Sequence, residues 1–305
     1  MDRPSIRQLE CLVAVAEHHS FRKAAAALGI SQPALSAQIQ SVEQQLAVQV
    51  FERDRRAVLV TSAGEDIVGR ARLALEAVDA VNDAARRRAE PLVGPLRLGV
   101  IPTVAPYWLP PLLPVVRKRF PKLELILRED QTARLLGQLA AGLIDVALVA
   151  IPVPGDVTTA PIARENFLLA APRDAAIVHR RGKLTEKDLE DEKVLLLEDG
   201  HCLRDQALAV CERSGAVESM EVRATSLPTL VQMVAGGLGV TLIPEAAADA
   251  LIQPRGPVEV AEFGKPPGRT LGLAWRTSSA RLREFRLLAE VMSEAADKFL
   301  GMMRA

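Results

Sequence analysis

The chain has 305 residues, of which 49% are apolar and 25% charged, enough for two or three domains with sizeable cores. Its 38 Lys and Arg balance its 38 Asp and Glu, so the chain as a whole indicates no polyanionic partner. Three cysteines are too few, and odd in number, for a secreted disulfide scaffold.

The sequence favours a soluble cytoplasmic protein. It begins without a charged-then-apolar leader and contains no run of about 18 apolar residues, so we expect neither secretion nor a membrane partner. In the cytoplasm a disulfide is more often transient and regulatory than structural. We predict no cofactor and no metal.

Residues 6–46 carry the signals of three short helices. One face of the first, over residues 6–18, carries Leu9, Leu12, Val13 and Ala16. Ser20 caps the second, which ends at Gly29, and the third begins around residues 31–33. This pattern predicts a helix-turn-helix. Cys11 lies away from the apolar face of the first helix, and we interpret it as incidental.

The third helix and the segment after it suggest a DNA-binding surface. The helix offers polar side chains that can reach base edges in a major groove. A β-rich segment, residues 50–60, has a run of arginines suited to phosphates or the minor groove. The candidate DNA-binding residues are Ser31, Gln32, Pro33, Ser36, Gln38, Gln40, Arg53, Arg55 and Arg56. The alternative is a solvated helix in some other small bundle.

A long helix is predicted from residue 61 to about residue 90. Apolar residues recur along it at alternating spacings of four and three, which is a heptad seam suited to dimerisation. The seam consists of Ile67, Ala71, Ala74, Val78, Val81 and Ala85. Pro91 and Gly94-Pro95 then mark a boundary. We divide the chain into residues 1–62, a winged helix-turn-helix domain; residues 63–92, a linker helix; and residues 93–305, an effector domain.

Strands and helices alternate beyond the boundary, which predicts an α/β region with doubly wound sheets. Thr103 follows the first strand and Thr132 opens the second helix, so both hydroxyls are candidates for one crevice. Helix capping is the alternative role for each. A second unit begins near Ile162, which predicts lobe I at residues 93–162 and 269–305, lobe II at 163–268, and a hinged cleft between them.

The stretch from Leu195 to Cys211 is the candidate reactive site. A buried strand, residues 194–197, ends in an acidic turn, and His201 and Cys202 then open a helix. The free N–H groups and the positive end of the helix dipole favour a thiolate at Cys202. His201 and Arg204 add donors and positive character.

The nearest possible thiol partner of Cys202 is Cys211, nine positions further on. Nine helical residues rise roughly 13.5 Å, whereas bridged cysteines need Cα atoms within about 6.8 Å. If both thiols belong to one helix, a disulfide between them requires that helix to bend or melt. The alternatives are two inert buried cysteines, a zinc site lacking a fourth ligand, and a thiol peroxidase.

Several motifs in this order resemble those of LysR-type transcriptional regulators over the full chain. Residues 21–25, 31–39, 51–53 and 61–64 are similar to the helix-turn-helix, wing and linker signatures of that family. The resemblance implies an all-α winged helix-turn-helix domain and a long linker helix before a two-lobed, periplasmic-binding-protein-like effector region. Residues 99–103, 120–123, 196–206 and 223–227 resemble the hydrogen-peroxide-sensing members of the family.

The resemblance to peroxide sensors assigns roles. It implies that Cys202 is the peroxidatic thiol and Cys211 the resolving thiol, and that a peroxide pocket is formed by Thr103, Thr132, His201, Arg204, Asp205 and Arg269. It also implies hydrogen peroxide, double-stranded promoter DNA, RNA polymerase and a thiol reductant as partners, within a dimer of dimers. The rival functions are a regulator whose cleft binds a small-molecule inducer, a DNA-binding peroxidase, and a solute-binding module.

Overall fold

The computed structural model describes residues 3–53, 58–86, 91–190 and 192–303. The chain forms two compact units, the first comprising residues 1–91 with 137–144, and the second residues 92–136 with 145–305. No helix in the described ranges is long and apolar enough to cross a membrane.

The first unit opens with three helices, as predicted: α1 (Ile6–His18), α2 (Phe21–Ala27) and α3 (Gln32–Leu46). Each begins at a serine whose side chain accepts a hydrogen bond from a first-turn N–H group, which stabilises the helix start. Leu12, Leu35 and Ile39 are fully buried between the helices. Cys11 is also fully buried, so the expectation that it lies off the apolar face is wrong; the buried sector of α1 is wider than one stripe.

A two-stranded wing and a long helix complete the first unit. Strands β1 (Phe51–Arg53) and β2 (Val58–Val60) pair antiparallel, with Phe51 opposite Val60. Helix α4 runs over Ser62–Arg86. Gly64 allows its first turn to approach the wing, because a Cβ there would lie 2.3 Å from the carbonyl oxygen of Val50. Val81, in the predicted seam, is 72% exposed in the single chain.

The second unit is an α/β structure, as predicted. Its helices are α5 (Ala105–Arg119), α6 (Thr132–Ala140), α7 (Cys202–Ser214), α8 (Leu227–Ala235), α9 (Glu245–Leu251) and α10 (Leu282–Met303). Its strands are β3 (Gly94–Val100), β4 (Leu123–Glu129), β5 (Val146–Ile151), β6 (Val157–Pro172), β7 (Lys193–Leu197), β8 (Val217–Ala224), β9 (Thr241–Pro244), β10 (Val258–Ala261) and β11 (Gly268–Arg276).

A seven-stranded sheet organises this unit, in the order β10-β6-β11-β5-β3-β4, with β9 also paired to β6. β3 is parallel to β4 and β5, as alternation predicts, but β11 enters antiparallel between β5 and β6. The sheet is therefore mixed rather than uniformly doubly wound. β5 is an apolar run buried on both faces, which is typical of a central strand.

The topology of this sheet brings the carboxyl ends of two strands together. β3 and β4 pair in register from Gly94 opposite Leu123 to Val100 opposite Glu129, so their carboxyl ends share one edge. The loop after β3 and the first turn of α6 follow from that edge. The separate parallel pair β7–β8 carries α7 at the carboxyl end of β7.

Candidate functional site

The strand–turn–helix around Cys202 has the predicted form. Leu195 and Leu197 are buried in β7, and the turn after the strand contains Gly200 with φ +93°, a conformation that L-residues rarely adopt. Cys202 is the first residue of α7, and the side chain of His201 makes no capping hydrogen bond. The N–H group of Arg204, in the first turn, donates to the carbonyl oxygen of His201 at 2.9 Å, and the positive end of the helix dipole favours negative charge at Cys202.

Cys202 lines a narrow crevice whose volume for a water-sized molecule is close to 0 Å³. Three segments form its walls, namely the loop after β3, the start of α6 and the turn before α7. The lining residues are Ile101, Pro102, Thr103, Gln131, Thr132, Gly200, His201 and Cys202. The structure therefore brings together three of the predicted pocket residues, Thr103, Thr132 and His201, with the half-buried thiol of Cys202.

The two threonines differ in their hydrogen bonding. Thr103 is buried, and its Oγ1 accepts a hydrogen bond from Nη1 of Arg269 at 2.8 Å. Oγ1 of Thr132 is buried without a partner among the described residues. A buried polar atom without a hydrogen-bond partner destabilises the fold, so Oγ1 of Thr132 is a candidate to bind a polar ligand in the crevice.

His201 lines the crevice and is itself buried, with 6% of its surface exposed. Its Nε2 lies 3.9 Å from Oε1 of Glu198, in the turn that precedes it. The carboxylate of Glu198 is 44% exposed, so solvent screens this contact strongly. His201 therefore contributes mainly a wall of the crevice that Cys202 also lines.

Arg204 and Asp205 do not line the crevice. The Arg204 guanidinium lies 2.8 Å from Asp199 and 2.8 Å from Glu218, on the last turn before α7 and on β8. Burial opposes its charge, but Glu218 and Asp199 outweigh burial and raise the pKa of the guanidinium above its ordinary value. These two carboxylates thus neutralise the positive charge of Arg204, which the sequence predicted to act on Cys202. Asp205 is exposed in the first turn of α7.

Arg269 stands behind the crevice. Its guanidinium is fully buried and reaches both the side chain and the carbonyl oxygen of Thr103, the latter at 3.0 Å. Its Nε donates to the buried carboxylate of Glu165 at 2.7 Å. Arg269 therefore acts on the crevice through Thr103 rather than as a wall.

Cys211 lies at the other end of α7, and the prediction that one helix carries both thiols is confirmed. Both cysteines are free thiols. Only 3% of Cys211 is exposed, and burial raises the pKa of its thiol to about 11. The helix ends at Gly215, whose N–H group donates to the carbonyl oxygen of Cys211 at 2.9 Å. The helix spacing keeps the two sulfurs out of bonding reach while α7 is intact.

Two glutamines, one in the wall of the crevice and one in α7, were absent from the sequence-based predictions. Gln131 lines the crevice, and its Nε2 donates to the carbonyl oxygen of Asp199 at 3.4 Å. Oε1 of Gln206 is buried without a partner among the described residues. The signals were present, since Gln131 directly precedes Thr132 and Gln206 lies one helical turn after Cys202.

The predicted DNA-binding residues lie at the start and along the surface of α3. Ser31, Gln32, Pro33 and Gln40 are exposed, whereas Ser36 and Gln38 are half-buried. Oγ of Ser31 accepts a hydrogen bond from the N–H group of Ala34, so this residue caps the helix. Arg53 ends β1, but its side chain, together with Arg55 and Arg56, lies outside the part of the chain that the structure describes.

Comparison with known families matches both units of the chain. Residues 6–65 match the family described as bacterial regulatory helix-turn-helix protein, lysR family. Residues 89–297 match the LysR substrate binding domain. The chain belongs to the LysR family of bacterial transcriptional regulators.

Within that family the chain is similar to proteins named for hydrogen peroxide. It is 45% identical to a probable hydrogen peroxide-inducible genes activator of Streptomyces viridosporus, covering 96% of this chain and 95% of the relative. It is 42% identical to the DNA-binding transcriptional dual regulator OxyR of Escherichia coli (strain K12), covering 96% of each.

Solved structures of OxyR proteins have the same architecture. A full-length cysteine-to-aspartate variant of OxyR from Pseudomonas aeruginosa is 34% identical, with a TM-score of 0.81 over 96% of this chain and 95% of that chain. A cysteine-to-serine variant of OxyR from Corynebacterium glutamicum with hydrogen peroxide bound is 37% identical, with a TM-score of 0.69 over 99% of this chain and 96% of that chain.

Proposed function

We propose that this LysR-type regulator senses hydrogen peroxide through reversible formation of a disulfide between Cys202 and Cys211, and thereby controls an oxidative-stress response. The observation that carries the proposal is the crevice, where a half-buried thiol at a helix start meets the buried hydroxyl groups of Thr103 and Thr132. The relatives named OxyR support it, because one of their structures holds hydrogen peroxide.

The first step is a two-electron oxidation of Cys202. The thiolate attacks one peroxide oxygen, an S–O bond forms, the O–O bond breaks, and the second oxygen departs as hydroxide. The products are a sulfenic acid on Cys202 and, after protonation by solvent, water. The two threonine hydroxyls hold the peroxide, and the positive end of the α7 dipole stabilises the thiolate.

The second step joins the sulfurs. The Cys211 thiol condenses with the sulfenic acid, releasing water and leaving a disulfide. Because both residues belong to α7, this step requires that helix to open. A thiol reductant reverses it by thiol–disulfide exchange. A single covalent bond thus selects between two conformations of the effector domain.

The proposed output of this oxidation is a change in how the protein binds DNA. The surface of α3 is proposed to enter a major groove through Ser31, Gln32, Pro33, Ser36, Gln38 and Gln40, with Arg53, Arg55 and Arg56 contacting the backbone or minor groove. Within the predicted seam of α4, Ala71 is buried in its own unit, whereas Ala74 and Val81 are exposed. The exposed part is proposed to form a dimer, and two dimers to form the tetramer that contacts RNA polymerase at promoters. We propose that the helix-turn-helix domain ends at residue 62 and the linker helix at residue 92, and that the protein is located in the cytoplasm.

Footprinting on the regulator's own upstream DNA tests the proposal. The reduced protein and the protein treated with micromolar peroxide should give different footprints. Cys202→Ser should bind DNA and show no change with peroxide, whereas Cys11→Ala should respond like the unmodified protein, because Cys11 is buried in the other unit. A Cys202→Ser protein that still responds would place the sensing site elsewhere.

The size of the crevice argues against a small-molecule inducer at this site. In this structure the crevice has a volume close to 0 Å³ for a water-sized molecule, against the roughly 300–1,000 Å³ of pockets that hold drug-sized ligands, so an inducer of that size would need a much larger opening than hydrogen peroxide. Catalytic turnover distinguishes a peroxidase from a sensor, since a sensor consumes only as much peroxide as it has reactive thiols. Sustained peroxide consumption with a thioredoxin system would favour the enzyme.

A further inference from the structure

A buried ion pair lies behind the crevice. The side chains of Glu165 and Arg269 are both fully buried, with Oε2 and Nε 2.7 Å apart. The other carboxylate oxygen of Glu165 accepts a hydrogen bond from the indole N–H of Trp108 at 2.8 Å. Both oxygens of Glu165 are thus occupied by donors, and its orientation is fixed.

Net stability does not account for this pair. Removing two charges from water costs about as much as their mutual attraction returns, so apolar residues of similar size often serve a core equally well. What the pair does provide is a fixed guanidinium. With Nε held by Glu165, Arg269 directs its two remaining nitrogens to Oγ1 and to the carbonyl oxygen of Thr103.

This arrangement sets the direction of the Thr103 hydroxyl. A guanidinium can only donate hydrogen bonds, so Oγ1 of Thr103 is the acceptor in its bond with Arg269. The proton of that hydroxyl must then point elsewhere, and Thr103 lines the crevice. Because the bond comes from a cation, it also polarises the hydroxyl and makes it a stronger donor.

We propose that Glu165 is a positioning residue for the reduction of peroxide, acting through Arg269 on Thr103; this rests on the function proposed above. When the Cys202 thiolate forms its S–O bond and the O–O bond breaks, negative charge develops on the departing oxygen. The Thr103 hydroxyl donates a hydrogen bond to that oxygen, which leaves as hydroxide and takes a proton from solvent. Glu165 touches neither peroxide nor sulfur.

Two reactions of Cys202 separate this role from general damage to the site. Reduction of peroxide needs a donor at the departing oxygen, whereas alkylation by iodoacetamide expels iodide and does not. In the full-length protein, Glu165→Gln should slow peroxide oxidation of Cys202 by about 10- to 100-fold, less than the roughly 100- to 1,000-fold cost of removing such a donor, because the Thr103 hydroxyl remains and loses only its orientation. Alkylation of Cys202 should stay within about threefold, because the thiol keeps its surroundings.

Glu284→Gln is the matched control. Glu284 is also a buried carboxylate bonded to an arginine, Arg281, but it does not line the crevice or contact Thr103. Both of its rates should match those of the unmodified protein. Mass spectrometry of the peptide that contains Cys202 reports both reactions.

A second variant covers the case in which Glu165→Gln does not fold, since it leaves Arg269 as a buried charge without its partner. Glu165→Asp keeps the charge with a shorter side chain and should show the same selective loss to a smaller degree. The proposal is overturned if peroxide and alkylation rates change together, or if neither changes, in whichever variant folds. Failure of the function itself looks different, because Cys202 of the unmodified protein would then resist peroxide.

Discussion

The two ends of α7 carry the same side chain in opposite surroundings. At the first residue, Cys202 is half-buried, lines a crevice and faces a helix start without a side-chain cap. At the tenth residue, Cys211 is buried, and its carbonyl oxygen accepts hydrogen bonds from the Gly215 N–H group and the Ser214 hydroxyl. The comparison shows that the thiol at one end of the helix lines a crevice, whereas the thiol at the other end is buried.

The largest expected difference is in thiol labelling. Under native conditions iodoacetamide should modify Cys202 at least ~100-fold faster than Cys211, because Cys211 reacts only after a local opening that costs about 3 kcal/mol or more. Time-resolved mass spectrometry of the two sites measures the ratio, and denaturant provides the control by removing the protection of Cys211. Equal rates in the folded protein would abolish the distinction between the two ends.

The pH dependence of the free energy of unfolding should show whether the Cys211 thiol is buried. Burial raises the Cys211 pKa from 9.0 to about 11, so the folded state keeps its proton where the unfolded state has lost it. The stabilising contribution is complete below pH 9 and is lost as pH rises towards 11, by up to about 2.7 kcal/mol. Urea unfolding of the protein and of Cys211→Ser, which cannot ionise, gives the difference. If the free energies of unfolding of the two proteins change with pH in parallel, the Cys211 thiol is not buried from solvent.

Gly200→Ala tests the geometry of the open end. A Cβ at Gly200 would lie 2.6 Å from Oε1 of Gln131, at a φ of +93° that alanine rarely adopts. We expect a loss of about 1–2 kcal/mol in stability from the backbone. Oxidation of Cys202 by peroxide should slow about tenfold, as displacement of the Gln131 wall spoils the alignment of the crevice.

Gly182→Ala is the control for that experiment, because Gly182 has φ +91° and nothing within 4 Å of its Cβ position. It should lose similar stability and keep the peroxide rate. Identical peroxide rates in the two variants would mean that Gln131 does not shape the crevice.

Gly215→Ala should have the smallest effect, at the closed end. Gly215 ends α7 with φ +79°, and a Cβ there meets only Glu190 at an ordinary 3.7 Å, so the substitution adds backbone strain alone. About 1 kcal/mol of strain should make opening of that end about fivefold more frequent and raise Cys211 labelling equally. Cys202 labelling should not change. Faster labelling at both sites would indicate general loosening instead.

Local signals predicted the frame of the site. The apolar run before Glu198, the acidic turn and the helix from Cys202 are read from a few adjacent residues, and the structure has all three. The meeting of Thr103 and Thr132 followed from a rule of topology, since both lie after the carboxyl ends of parallel strands.

Contacts between distant residues were beyond such reasoning. Arg204 seemed to serve Cys202 because it is close in sequence, but its second partner, Glu218, comes from another strand. The pair of Glu165 and Arg269 joins residues 104 positions apart. α9 and β10 were not predicted; β10 is a four-residue strand within a stretch rich in proline and glycine, which favours a loop.

The bond from Arg269 to Thr103 joins residues 166 positions apart. On the ribosome, the chain has made every lining residue of the crevice once Cys202 has been added, yet the arginine that orients Thr103 is still 67 residues from synthesis. Nascent chains therefore contain Cys202 well before they contain Arg269. On the role proposed for Arg269, a product truncated before β11 should lack the oriented Thr103 hydroxyl and should reduce peroxide more slowly than the full chain.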